Sequence, residues 1–292
     1  MLTLDRVSKT YKTGTFGGKE LVAVRDVSFA VRPGEVVSLI GESGSGKSTI
    51  GRMILRLATP TDGVIALDGV DVSTLERRAL KTYYRRVQGV FQDPFSSYNP
   101  IFKADRVFSM VKDGFFPRVA PRDWDVKVES ALEAVSLNAG DCLRKYPHQL
   151  SGGQLQRLLV ARALLLDIEI LVADEIISML DASTRIDVLN LLGDLKTRGL
   201  GILFITHDLS LGNYLSDRTV ILRRGRIVEM GATERVFGNP LHPYTRTLLS
   251  SIPKLDGKWT DEPVREEAPG SHDAGELLEV EEDHLVATGD AP

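Results

Sequence analysis

The sequence predicts an α/β domain with a mainly parallel core sheet, antiparallel β elements at the N-terminus and a helical subdomain inserted along the way. Three observations carry that prediction. Strand-length apolar runs at residues 36–40, 168–173, 201–205 and 219–222 alternate with helical patterns at 183–196 and 208–215, the rhythm of strand–helix–strand units that build a parallel sheet. Residues 2–7 and 27–31 instead alternate apolar with polar side chains, as half-buried strands do. Between 99 and 163 the alternation disappears and apolar residues such as Val128, Ala131, Leu132 and Val135 recur at helical intervals.

The size of the chain bounds what these elements can do. With 292 residues and ordinary apolar content, it can bury a large core. The expected organisation is one elaborated domain over 1–253, with the helical subdomain at about 99–163, followed by a tail over 254–292. That tail is the strongest compositional departure. Residues 255–292 hold twelve acids against Lys258 and Arg265, so a formal total of −4 leaves the body of the chain near +6. Few aromatic residues and much mutual repulsion predict an exposed, flexible segment, with His272 and His284 solvated. No apolar run approaches the roughly 20 residues of a membrane helix. The first residues lack the basic start and apolar stretch of a secretory signal, so the chain is expected to stay where it is made. Cys142 is the only cysteine, which excludes an internal disulfide and predicts a buried, inert thiol. It also excludes a four-thiolate iron–sulfur cluster.

The first motif follows the strand at 36–40. Gly41-Glu42-Ser43-Gly44-Ser45-Gly46-Lys47-Ser48-Thr49 fits the spacing GxxxxGK[ST] and leads into a helical run beginning near Lys47. Glycines let backbone amides wrap a polyphosphate, and the helix presents its positive N-terminus to it. Lys47 reaches the outer phosphates, and the Ser48 hydroxyl can ligate magnesium. Nucleotide binding follows from this loop, but kinases, GTPases and ATPases share it, so the reaction needs a second site. The apolar run at 168–173 supplies one by delivering Asp174 and then Glu175 to its end. Asp174 can neutralise the metal, while Glu175 can act on the attacking water as general base or orienting group. That division of labour favours hydrolysis over transfer to another acceptor.

Leu150-Ser151-Gly152-Gly153-Gln154 then precedes a helical run. Ser151 is a natural helix N-cap, and the glycines leave room for backbone amides to approach an anion. This pentapeptide beside the phosphate loop resembles the ABC ATPase family over roughly residues 2–253. The resemblance implies that Ser151, Gly152, Gly153 and Gln154 bind the γ-phosphate held by the opposite subunit, so that ATP lies between two head-to-tail chains. It also implies that Tyr11 stacks on adenine, although a strand-end tyrosine packed on the core is an open alternative. Gln92 is implied to sense magnesium and water, Asp181 in Ser178-Met179-Leu180-Asp181 to cross the dimer interface, and His207 to contact the γ-phosphate. Two positions depart from the family pattern. Ile176-Ile177 stands where proline usually follows the glutamate, and Met179 where alanine is usual.

Finally, Asn239-Pro240-Leu241-His242-Pro243-Tyr244-Thr245 and the run from Phe91 to Pro100 resemble the oligopeptide/dipeptide/nickel importer group of that family. By itself the His-Pro-Tyr segment reads as a proline-bounded turn entering a short helix. The resemblance implies ATP and Mg2+ as cofactors and a second ABC ATPase subunit as partner, a heterodimer being favoured. It further implies two membrane permease subunits, a solute-binding protein met only indirectly, no nucleic acid, and a peripheral location on the cytoplasmic face of the membrane. Peptides are the expected solute, with oligosaccharides or a metal left open. Two rivals are a soluble ABC ATPase acting in DNA repair or translation and a P-loop GTPase. Against the second, the chain contains no Asn-Lys-x-Asp guanine motif.

Overall fold

The computed structural model describes residues 1–13, 18–250 and 277–288. β1 (Leu2–Thr13) and β2 (Lys19–Val31) form a long antiparallel ladder. Its apolar positions Leu2, Leu4, Val7, Val27 and Val31 are buried, as alternation requires. The chain then enters β3 (Val36–Ile40) and α1 (Lys47–Ile54). It returns beside β1 as β4 (Asp62–Leu67), and β5 (Val70–Asp71) completes a four-stranded sheet in the order β2-β1-β4-β5.

After α2 (Arg77–Arg86) and β6 (Val87–Val90) comes the helical region of α3 (Arg106–Phe115), α4 (Pro121–Glu133), α5 (Ala139–Cys142) and α6 (Gly152–Leu164). The main sheet resumes with β7 (Ile170–Asp174), α7 (Ala182–Thr197), β8 (Gly201–Thr206), α8 (Leu209–Leu215) and β9 (Arg218–Arg223). β10 (Arg226–Ala232), α9 (Thr233–Gly238), α10 (Pro243–Ser250), β11 (Leu277–Glu281) and β12 (His284–Ala287) follow.

Eight strands make the second sheet, in the order β11-β12-β10-β9-β3-β8-β7-β6. The strands from β6 to β9 pair in parallel, and β10, β12 and β11 extend the sheet antiparallel. β3 and β8 are buried at every position, which is why both read as continuous apolar runs: a parallel strand covered on two faces has no solvent side. One core cluster, including Leu39, Ile50, Met53 and Ile65, joins the two sheets around α1. A second, including Leu155, Leu159, Val188 and Phe204, joins the main sheet to the helical region. Each fully buried Leu, Ile or Phe contributes about 1.5–3 kcal/mol relative to exposure, so the site-bearing strands rest on a well-stabilised core. Cys142 lies in this second cluster, and burial raises its thiol pKa.

The expected flexible tail is corrected for its described part. Residues 277–287 form a hairpin that turns at Asp283, whose φ is 57°. The hairpin adds to β10 with Gly231 opposite His284. His284 is fully buried rather than solvated. Short-period alternation, Leu277/Glu279/Glu281 against Leu278/Val280, is strand-forming whatever its charge, and a buried carboxylate on β10 gives His284 a partner. Residues 251–276, with His272, and 289–292 lie outside the described residues.

Candidate active site

β3, β7 and β8 run parallel, so the loops that follow them open along one edge of the sheet, where α/β proteins bind ligands. The loop after β3 begins at Gly41, where a Cβ would overlap the carbonyl oxygen of Leu222 at the end of β9. It ends at Gly46, whose φ of 107° suits only glycine and whose Cβ would strike the Ala23 carbonyl on β2. Wedged between two strands, the loop has no freedom to collapse. Ser43 and Gly44 stand exposed at its crest, and Ser48 and Thr49 are half-buried in the first turn of α1. Lys47 is buried, and its ammonium donates to the carbonyls of Gly41 at 2.6 Å and Glu42 at 2.8 Å. Burial lowers its pKa, while Glu175, Asp174 and Glu42 oppose that shift.

β7 carries Asp174 to its end, where the Ser48 hydroxyl donates to Asp174 Oδ1 at 3.2 Å. Burial raises the Asp174 pKa, and the bond from Ser48 offsets part of the rise. Glu175 then adopts a left-handed backbone with φ of 50°, a conformation that costs about 1–3 kcal/mol for a residue with a side chain. Its amide donates to the Ile205 carbonyl on β8 at 2.9 Å, and the Ser178 hydroxyl donates to its carbonyl at 2.9 Å. Ile176 and Ile177 are buried in the core against the helical region. The first departure from the family pattern, Ile176-Ile177, therefore anchors the strained turn by packing, while the second, Met179, stands exposed. Past the end of β8, His207 Nδ1 lies 3.2 Å from Glu175 Oε1. Lys47, Ser48, Asp174, Glu175 and His207 are thus brought together from three adjacent strand ends.

The other expected residues fall around this group. Gln92 follows β6, the neighbour of β7, and is exposed. The carbonyl just before it, Phe91 O, accepts from the buried amide of Gln156 on α6 at 3.4 Å. Tyr11 pairs with Leu21 on β2, two residues before the Ala23 carbonyl that abuts Gly46, and Lys9 Nζ lies 4.9 Å from its ring centre. Ser151 caps α6: its hydroxyl accepts from Gln154 N at 3.2 Å while Gln154 Oε1 accepts from Ser151 N at 2.9 Å, a capping box. Gly152 faces Leu180, and a Cβ at Gly153 would overlap the Thr184 side chain. Gly153 therefore has a packing reason that the sequence did not reveal, because it lets the start of α6 close against the start of α7. Asp181 caps α7, accepting from the Ser183 hydroxyl at 2.6 Å, from Thr184 N at 3.0 Å and from the Thr184 hydroxyl at 2.9 Å. These bonds hold its carboxyl below the ordinary range.

Sequence reasoning missed two braces on the phosphate loop. Gly225, in the turn between β9 and β10, donates to Ser45 O at 2.9 Å, and the Tyr244 hydroxyl accepts from Glu42 N at 3.3 Å. The only signal for Tyr244 was the His-Pro-Tyr motif, which read locally as a turn.

The donor set fits magnesium shared with phosphate. The Ser48 hydroxyl and the Asp174 carboxylate converge beside the Lys47 ammonium, and this hard cation is commonly held by one or two protein oxygens together with substrate phosphates. Among the described residues no group of three or more His, Cys, Asp or Glu could hold a metal by itself.

Residues 24–178 match the family described as ABC transporter, and residues 228–276 match the one described as Oligopeptide/dipeptide transporter, C-terminal region. The chain is 43% identical over 259 residues to a putative peptide import ATP-binding protein of Brucella ovis, covering 88% of this chain and 80% of that one. It is 40% identical over 277 residues to the oligopeptide transport ATP-binding protein OppF of Bacillus subtilis, covering 92% and 90%. Among solved structures it is similar to a dimeric ATP-binding cassette in a post-hydrolysis state bound to ADP and Pi. That match has 29% identity and a TM-score of 0.71, and it covers 80% of this chain and 99% of that one.

Proposed function

This chain belongs to the ABC transporter ATP-binding subunits of oligopeptide/dipeptide importer type, and from that premise we propose that it hydrolyses ATP at the edge of its main sheet to power peptide uptake through separate membrane permease subunits. The observation that carries this reading is the convergence of Lys47 and Ser48 with Asp174, Glu175 and His207, in a chain that also bears the importer-type C-terminal region. The amides of residues 44–49 and the Lys47 ammonium hold the phosphates. Magnesium, when bound, neutralises phosphate charge, and Ser48, Asp174 and Gln92 are the residues to hold it. Glu175 accepts the proton of the attacking water or aligns it, and His207 positions the Glu175 carboxylate and faces the γ-phosphate. Tyr11 stacks on the adenine.

Each site is shared with a second ATPase subunit, a different chain rather than a copy, and Ser151, Gly152, Gly153, Gln154 and Asp181 of this chain complete the site whose phosphate loop that partner supplies. The pair works at the cytoplasmic face of the membrane on two permease subunits, and the solute-binding protein is met only through them. The test is purification of the chain from its native membrane, followed by reconstitution in vesicles. The expected result is co-purifying permease subunits and ATP hydrolysis stimulated by a peptide-loaded solute-binding protein. Co-purification with ribosomes or DNA and no permease overturns the reading.

A further inference from the structure

The most unusual buried polar group of the described chain lies outside the catalytic constellation. Glu229, on β10, is fully buried, and so is His284 on β12. Its two carboxylate oxygens take three donors. Oε1 accepts from His284 Nε2 at 2.7 Å and from Leu241 N at 2.9 Å, and Oε2 accepts from His242 N at 3.0 Å. With Glu229 as a carboxylate, which can only accept, His284 Nε2 is the donor of the bond between them. A buried carboxylate is tolerated only when its lone pairs are met. Here two donors are consecutive amides of the His-Pro-Tyr segment and the third comes from the C-terminal hairpin.

The segment that Glu229 holds reaches the nucleotide loop. His242 Nδ1 accepts from Tyr244 N at 3.1 Å, which fixes the turn into α10. The Tyr244 ring packs with Ile40, Ile221, Val228 and Val236 and lies under the Arg223 guanidinium at 4.9 Å. Its hydroxyl accepts from Glu42 N. The same β9–β10 unit meets the loop a second time through Gly225 N and Ser45 O. At the other end the hairpin is seated on β10 without slack. A Cβ on Gly231 would overlap the Asp283 carbonyl, and the Arg235 guanidinium donates to the Glu282 carbonyl.

We propose that the hairpin β11–β12 is a positioning element for ATP binding. Through His284 and Glu229 it locks the His242–Tyr244 turn, and Tyr244 holds the phosphate loop at Glu42 in its binding shape. His284, Glu229 and Tyr244 are positioning residues, acting on the nucleotide through the loop and not by contact. The arrangement rests on the ATP-site reading above and adds to it a reason for a His-Pro-Tyr segment and a terminal hairpin in the same chain. Removing one hydrogen bond in such a relay typically costs about 1 kcal/mol, or about fivefold in an equilibrium.

The test is a double-mutant cycle on the full chain, with ATP affinity and melting temperature measured for His284→Ala, Tyr244→Phe and the pair. Each single variant is expected to weaken ATP binding about fivefold, and the double variant no more than either single one, because both break the same relay. His284→Gln, whose amide can donate to Glu229, is expected to restore affinity. If His284→Ala does not fold, Glu229→Gln takes its place in the cycle. Wild-type ATP affinity in the hairpin variant with only a lowered melting temperature overturns the proposal, as do effects that multiply in the double variant. A wild-type chain that binds no ATP would instead sink the ATP-site reading itself, so the two failures are distinguishable.

Discussion

The described residues contain the same chemical pair twice. At the open edge of the parallel strands Glu175 Oε1 meets His207 Nδ1 at 3.2 Å, with the two side chains 19% and 58% exposed. At the antiparallel end Glu229 Oε1 meets His284 Nε2 at 2.7 Å, with both side chains at 0%. The difference lies in what else the carboxylate does. Glu229 has three of its roughly four acceptor positions committed to two backbone amides and an imidazole and is fully buried, so no ligand reaches it and its value is structural. Glu175 is held in place by its backbone, through a strained φ and the bonds of its own amide and carbonyl. Its side chain keeps lone pairs that can meet water. A carboxylate–histidine pair is therefore a reactive group or a clamp according to burial and saturation, not according to residue type.

The sharpest way to break the contrast is to remove each carboxylate. Glu229→Ala leaves three buried donors without an acceptor and is expected to cost about 3–5 kcal/mol of unfolding free energy, whereas Glu175→Ala should cost far less because its side chain has only one partner. Denaturant unfolding of both variants checks this, and equal losses would erase the distinction. Nearly as large, but in rate rather than stability, is the effect of Glu175→Gln. Turnover should fall about 10²–10³-fold with ATP binding retained, within the range of a general base, as seen in steady-state hydrolysis beside equilibrium binding. Near-normal turnover would remove Glu175 from its proposed role.

A smaller effect tests the seat of the buried pair. Gly231→Ala forces a Cβ toward the Asp283 carbonyl and should cost about 1–3 kcal/mol as an overpacking defect, read as a lower denaturation midpoint. No loss of stability would mean that the hairpin sits loosely on β10. The smallest effect concerns Asp181, a saturated but exposed carboxylate that sharpens the comparison from a third side. Its pKa is depressed below the ordinary 3.8 by the bonds capping α7. The stability it contributes is therefore fully present above about pH 4 and is lost as pH falls through the folded value. The stability gap between wild type and Asp181→Asn should stay constant from neutral pH down to about 4 and narrow below it. A gap that widens on acidification would contradict the depressed pKa.

Much of the active edge was legible because its chemistry is written in contiguous residues. Gly41 to Thr49 declares a phosphate loop by spacing alone, and the apolar run before Asp174 and Glu175 declares a buried strand with acids at its end. The long antiparallel strands were underread. β1 extends to Thr13 and β2 begins at Lys19, where register shifts at Val7 and Lys9 interrupt the alternation. β4, β6 and β10 carried too little periodic signal over four to seven residues to be separated from loops. The hairpin was misread outright, since acidity is a statement about composition whereas strand formation is one about neighbours.

What the sequence determined by itself was the class of fold and the candidate groups for handling nucleotide, because glycine freedom, phosphate affinity and strand periodicity act over a few adjacent residues. Only the tertiary structure separated the open carboxylate, Glu175, from the buried one that clamps two segments, Glu229. Glu229 and His284 stand 55 positions apart, and their meeting depends on the register of β10 against β12. Burial, which sets the cost of an unmet charge, belongs to the packed assembly and is not a property of any stretch of chain.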